Sequence, residues 1–141
     1  MARETTLILF KPDAVSKNLT GTVLARFQEP GFVIRGIKML RFDKALLDEH
    51  YSELTEFPFY PLLEEFMLSG PVIALALEGE DVIKTIRAMI GPTDSTKAPK
   101  GTIRGDFGEC NRINMCHASD GPESAAVEIK RFFSEDELFD Y

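Results

Sequence analysis

The stretch Val72-Ile73-Ala74-Leu75-Ala76-Leu77 carries an apolar side chain at every position. Successive side chains along a strand point to opposite faces, so a strand with one wet face alternates apolar and polar residues. A run with no polar position predicts a central strand covered on both faces. Upstream, Leu62, Leu63, Phe66 and Met67 recur at helical spacing. Before them, Asp43 stands where it can cap a helix whose Leu47, Tyr51 and Leu54 share one face. Further back, residues 32–40 (FVIRGIKML) read as a strand, and Val23, Leu24 and Phe27 mark a helix stopped by Pro30-Gly31. Residues 5–10 (TTLILF) read as a buried strand.

Downstream, Val82, Ile83, Ile86, Met89 and Ile90 predict a helix that ends at Gly91-Pro92. Residues 92–113 show almost no periodicity, and a loop that long inside a compact domain is usually functional or disordered. Residues 113–117 (INMCH) are the last strand candidate. Asp120 to Glu123 then resembles a capping box, opening a final helix with Ala125, Ile129, Phe132 and Phe133 on its inner stripe. Four strands with the helices laid on one face make an α/β (α+β) sandwich. Its natural plan is the ferredoxin-like split βαβ.

The 141 residues suit one domain, 1–141, large enough to bury about 70% of its unfolded surface. With 16 basic and 23 acidic residues the formal net charge is -7, which disfavours a general attraction to nucleic acid or anionic membrane. Two cysteines, Cys110 and Cys116, are too few for a disulfide framework and fit no zinc spacing. No run resembles an export signal or a membrane span. A reducing, cytoplasmic setting is expected.

Neither GxxxxGK[ST] nor GxGxxG is present, and HExxH and GxSxG are missing too. Attention turns to residues 114–124 (NMCHASDGPES), which hold His117, one of two histidines; the other is His50. A Cys116–His117 nucleophile pair is disfavoured, because neighbours on a strand face opposite ways. Taken alone, a histidine here is more often a packing residue than a reacting one.

The segments TLILFKPDAV, RFQEPGF, HYSELTEFPFYPLL, MLSGPVIALALEGEDVIKTIR, IGPTD, GTIRGDF and NMCHASDGPESAAVEI follow one another along the chain. In this order and spacing they make the chain resemble the nucleoside diphosphate kinases over nearly its full length. The resemblance implies a ferredoxin-like fold, a four-stranded antiparallel sheet with helices on its faces. It also implies ping-pong transfer of a γ-phosphoryl group between nucleotides through a pros-phosphohistidine.

By position, His117 is then the nucleophile. Imidazole suits that role because a neutral ring keeps a lone pair near neutral pH. The resemblance gives Glu128 the task of holding the opposite ring nitrogen, buttressed by Ser119. Lys11, Arg87 and Arg104 match phosphate ligands, and Thr93 matches a hydroxyl donor. Arginine's planar fork suits paired phosphate oxygens, whereas lysine acts as a movable point charge. Tyr51 matches an active-site tyrosine, although its helical spacing also fits the core. Phe59 matches the ring that stacks on the base, with core packing as its alternative, and Asn114 matches a sugar-hydroxyl ligand. Magnesium is expected to arrive on the nucleotide phosphates, with Asp120 touching it through water or simply capping the last helix.

The chain departs from the resembled pattern in places. Arg112-Ile113-Asn114 replaces Gly-Arg-Asn, so the arginine comes one place early and the glycine is gone. Ala118 replaces a common glycine, and Asp94-Ser95 stands where Asn-Pro is frequent. The chain ends at Tyr141 in the manner of the short bacterial type. A homo-oligomer built from dimers is expected, a tetramer ahead of a hexamer. The partners implied are nucleoside di- and triphosphates, with no membrane and no specific nucleic acid. The rival readings are a non-catalytic nucleotide sensor or scaffold on this fold, and a nucleic-acid binder.

Overall fold

The computed structural model describes residues 3–141. In chain order these form β1 (Arg3–Phe10), α1 (Pro12–Ser16), α2 (Thr20–Gln28), β2 (Val33–Leu40), α3 (Lys44–His50) and α4 (Tyr60–Met67). There follow β3 (Val72–Glu80), α5 (Val82–Ile90), α6 (Ile103–Phe107), β4 (Cys116–Ala118) and α7 (Pro122–Phe132). The strands pair antiparallel in the order β2-β3-β1-β4, the ferredoxin-like arrangement. No helix among the described residues is long and apolar enough to cross a membrane.

The continuous apolar run at 72–77 lies in β3, between β2 and β1, and helices cover both faces of the sheet rather than one. Alternation splits the run between two cores. Leu75 and Leu77 join Ile8 and Phe10 against Val23 and Phe27 of α2 and Ile83 and Ile86 of α5. Val72, Ala74 and Ala76 join Leu7 and Leu9 against Leu47 of α3, Leu63 and Met67 of α4, and Phe132 of α7. Each fully buried leucine contributes about 2 kcal/mol by leaving water.

Several boundaries differ from the sequence reading. Asp43 caps α3 as expected, accepting from the Leu46 amide at 2.8 Å. That helix closes at His50, however, and Tyr51 and Leu54 pack against the second core from the turns beyond it. The segment 92–113 holds a 3-10 turn at Ser95–Lys97 and the short α6, whose N-cap Thr102 accepts from the Gly105 amide at 3.0 Å. The last strand is only Cys116–Ala118, because Met115 has φ of 75° and breaks the extended run. Asp120 to Glu123 forms no capping box. Pro122 occupies the first turn of α7, Gly121 is the N-cap, and Asp120 instead accepts from the Ser124 hydroxyl. Gly91 ends α5 as the sequence predicts, with φ of 92° and its amide bonded to Arg87 O at 3.0 Å.

Candidate active site

β4 pairs with the inner strand β1, and His117 stands opposite Leu9. Its neighbours Cys116 and Ala118 turn into the core under α2 and α5, so the imidazole faces the other way. Cys116 is fully buried there, which removes the Cys-His pair. His117 opens onto a cleft of about 780 Å³, and its side chain keeps 22% of its exposure.

Nε2 of His117 lies 3.0 Å from Oε1 of Glu128 on α7. The same oxygen accepts from the Ser119 hydroxyl at 2.7 Å. Ser119 is fully buried and stands behind Glu128, where its oxygen also accepts from the Leu7 amide at 3.2 Å. Burial would raise the Glu128 pKa, but the hydrogen bond and charge of His117, then Ser119 and Arg131, outweigh it and hold the carboxyl below its usual range. The carboxylate therefore fixes the tautomer with hydrogen on Nε2, and Nδ1 is the nitrogen left with a lone pair.

Five cations line this cleft, and the three expected as phosphate ligands, Lys11, Arg87 and Arg104, reach it from distant segments. Lys11 follows β1, is nearly buried, and donates to Asn114 Oδ1 at 2.7 Å. Burial, then the charge of Arg104, lowers its pKa to about 8, which still leaves it mainly protonated at neutral pH. Arg104 on α6 donates to Asn114 O at 3.2 Å, Gly91 O at 3.0 Å and Cys116 O at 2.7 Å. That uses three of a guanidinium's five N–H groups and leaves the rest for a ligand. Arg87 on α5 donates to Ala118 O at 3.2 Å, beside His117.

Asn114, Thr93, Tyr51, Phe59 and Asp120 complete the expected set on the cleft wall. Asn114 is buried, and its amide also donates to Thr93 O and Asn111 O, both at 2.9 Å, so it ties three segments together. The Tyr51 hydroxyl is buried without a partner among the described residues, and burial followed by the Glu128 charge raises its pKa. It stays a neutral donor. Phe59 is 49% exposed and stacks on Phe57 at 5.4 Å, so it is not a core residue.

Sequence reasoning missed the surroundings of His117. His50 packs edge-on against His117 with centroids 4.5 Å apart, and its Nδ1 accepts from Arg131 at 2.9 Å. Arginine has no acceptor, so the His50 proton sits on Nε2. Burial, then His117 and Arg131, pushes the His50 pKa down to about 2. Asp13 was missed too; it accepts from the Met115 amide at 3.0 Å and pins the bend before β4. The acid in KPDAV was its only sequence signal. His50, His117 and Glu128 form the one convergent set of metal-type ligands among the described residues, within 4.8 Å. The proton on His50 Nε2 and the two donors on Glu128 oppose a metal there.

An imidazole held in one tautomer and facing a cleft lined by five cations is suited to accept a phosphoryl group. A family model described as nucleoside diphosphate kinase matches residues 4–138. The chain is 48% identical over 141 residues to the nucleoside diphosphate kinase of Staphylothermus marinus, covering 100% of both chains. It is 46% identical to that of Halalkalibacterium halodurans, covering 98% of this chain and 94% of the relative. The solved structure of the Aquifex aeolicus nucleoside diphosphate kinase is similar with TM-score 0.93 and 48% identity, covering 98% of this chain and 100% of that one. The Halobacterium salinarum enzyme, solved in complex with CDP, matches with TM-score 0.96 and 39% identity, covering 99% of this chain and 93% of that one. The chain belongs to the nucleoside diphosphate kinase family.

Proposed function

We propose that this kinase works by ping-pong exchange, in which a nucleoside triphosphate such as ATP phosphorylates Nδ1 of His117 and a nucleoside diphosphate removes the group. The observation that carries this reading is the 3.0 Å link from Nε2 to Glu128, which leaves Nδ1 as the nitrogen able to attack. The Nδ1 lone pair forms a bond to the γ-phosphorus while the bond to the bridging oxygen breaks. That electron pair departs with the nucleoside diphosphate. The ring keeps its Nε2 proton, and the Glu128 carboxylate offsets the positive charge the ring acquires. Lys11, Arg87 and Arg104 offset the phosphate charge, and the unpartnered Tyr51 hydroxyl supplies a neutral hydrogen bond. Ser119 keeps Glu128 in place. Thr93 offers a hydroxyl, and Asn114 Oδ1 keeps a second lone pair for a sugar hydroxyl. The second half-reaction reverses the first with a different diphosphate.

The residues fit a magnesium ion brought in on the nucleotide phosphates. Asp120 is exposed at the cleft wall, and the Ser124 hydrogen bond holds its carboxyl below the usual range, so it suits contact through water. Asp120 would help hold the ion through water, and the chemistry the ion would supply is offset of the phosphate charge that repels a nucleophile. Cytoplasmic residence belongs to the same proposal and is supported by two free cysteines. So does assembly from dimers, with a tetramer as the form to test; exposed Ile37 and Met39 on the edge strand β2 support self-association.

The test is incubation with γ-labelled ATP and no acceptor. We expect stoichiometric label that is acid-labile and base-stable and that moves to GDP, CDP or UDP. His117→Ala should abolish labelling while circular dichroism and nucleotide binding persist. Undiminished labelling in that variant would place the nucleophile elsewhere.

A further inference from the structure

We propose that Arg112 reads the edge of the base and gives this enzyme a preference for guanine nucleotides. The inference rests on the kinase reading above and deepens it. Arg112 lines the main cleft together with Phe59 and Leu63. It also lines a second hollow of about 250 Å³ with Leu62, Glu65, Phe66 and Ser69 of the α4 region, where Glu65 makes no ion pair with it. Its side chain therefore lies across the rim between the two, next to the helix that Phe59 caps. The other four cations of the cleft are committed: Lys11 to Asn114, Arg87 and Arg104 to the Ala118, Gly91 and Cys116 carbonyls, and Arg131 to His50 and Glu49. Among the described residues, no carboxylate or carbonyl takes the Arg112 guanidinium.

The bend that presents Arg112 is braced. Glu109 N bonds Ile113 O at 2.8 Å, and the buried Asn114 amide holds Asn111 O at 2.9 Å. The resembled pattern has glycine at this place, which carries no side chain to reach a base. This chain instead sets a planar, five-donor fork at the end of the cleft where the Phe59 ring stacks on any base alike. Guanine offers O6 and N7 as adjacent acceptors that suit the fork. Adenine turns an amine donor toward it, and pyrimidines lack the pair. Because Arg112 is half-buried at a rim, the expected discrimination is roughly tenfold, toward the low end for a bidentate contact.

The experiment measures equilibrium binding of GDP, 7-deaza-GDP, ADP and CDP to the full chain and to Arg112→Ala, Arg112→Gly and Arg112→Lys. The unaltered chain should bind GDP about tenfold more tightly than ADP and lose much of that advantage with 7-deaza-GDP, which lacks the N7 acceptor. Alanine and glycine should bring GDP to the level of ADP, and lysine should restore only part of the gap. Equal weakening of all diphosphates would place Arg112 on the phosphates and overturn the inference. So would the absence of any guanine preference in the unaltered chain, a comparison that needs no variant to fold. If the protein also failed to take label from ATP, the kinase reading would fall with it. Intact labelling with a flat preference overturns the base-reading role alone.

Discussion

Glu128→Gln removes one charge and no heavy-atom volume, and its effect follows from the geometry around Oε1. That oxygen accepts from His117 at 3.0 Å and from Ser119 at 2.7 Å, so the amide oxygen can take its place while its NH₂ group turns outward. What disappears is the carboxylate's attraction for the ring as it becomes cationic. At about 4 Å and an effective dielectric near 20, a full unit charge there is worth about 4 kcal/mol. With roughly a third of that charge developed at the transition state, the loss is about 1.4 kcal/mol, or about tenfold in rate. The chain has no tryptophan, so single-turnover phosphorylation is best followed by quenched-flow with labelled ATP. We expect the first-order rate to fall at least tenfold while the Kd for ADP stays within twofold, estimates that follow from a purely transition-state interaction. A second readout is acid stability. Because the folded state depresses the Glu128 pKa below 4.5, its contribution is complete above that value and is lost as pH falls through the folded pKa. The variant should therefore show a shallower decline of Tm as pH falls from 4.5 through the folded pKa of Glu128. Wild-type rates together with an unchanged acid profile would refute the orienting role.

Two further outcomes separate charge from stacking and from protonation. Arg104→Ala should lower kcat by about 3 kcal/mol, or about a hundredfold, because it removes donors to developing charge, whereas Phe59→Ala should mainly raise nucleotide KM. Identical kinetic profiles for the two would defeat that division. Lys11 should lose its proton as pH rises through about 8, so the Kd for magnesium-ADP should climb above that pH while Lys11→Arg flattens the dependence. Burial depresses this lysine, so the unfolded chain binds more protons between about 8 and 10.5, and raising pH across that window should stabilise the fold through this residue. A Kd that is flat with pH would show that Lys11 does not hold phosphate.

What the sequence conveyed tracks the length over which a pattern can express itself. Residues 72–77 were long enough to announce a central strand, and their apolarity on both faces was a better guide than the expectation of helices on one side. The five-residue α6 is too short to show a helical period, so Arg104 was found by resemblance rather than by placement on an element, whereas Lys11 was read at the end of an apolar strand. β4 was overextended because nothing at Met115 announces a positive φ; the bend there is held by the Asp13 carboxylate, 102 residues away in sequence. The expected site residues converge on one cleft, with Ser119 just behind it. Their supports were illegible for the same reason of distance, since the Arg131–His50 bond joins residues 81 apart.

The brevity of β4 has a consequence for how local stability is distributed. His117 is carried on three residues zipped to Ile8, Leu9 and Phe10, and Ser119 continues the zipper to Leu7. The backbone that carries His117 is thus pinned to a buried inner strand of the sheet, where amide exchange is expected to demand near-global opening. Phe59, exposed in the turns that lead into α4, lies outside the sheet and is expected to open at lower free energy. One cleft is accordingly expected to hold a slow-exchanging end at His117 and a faster-exchanging end at Phe59, so that the outer end can shift without disturbing the His117 ring.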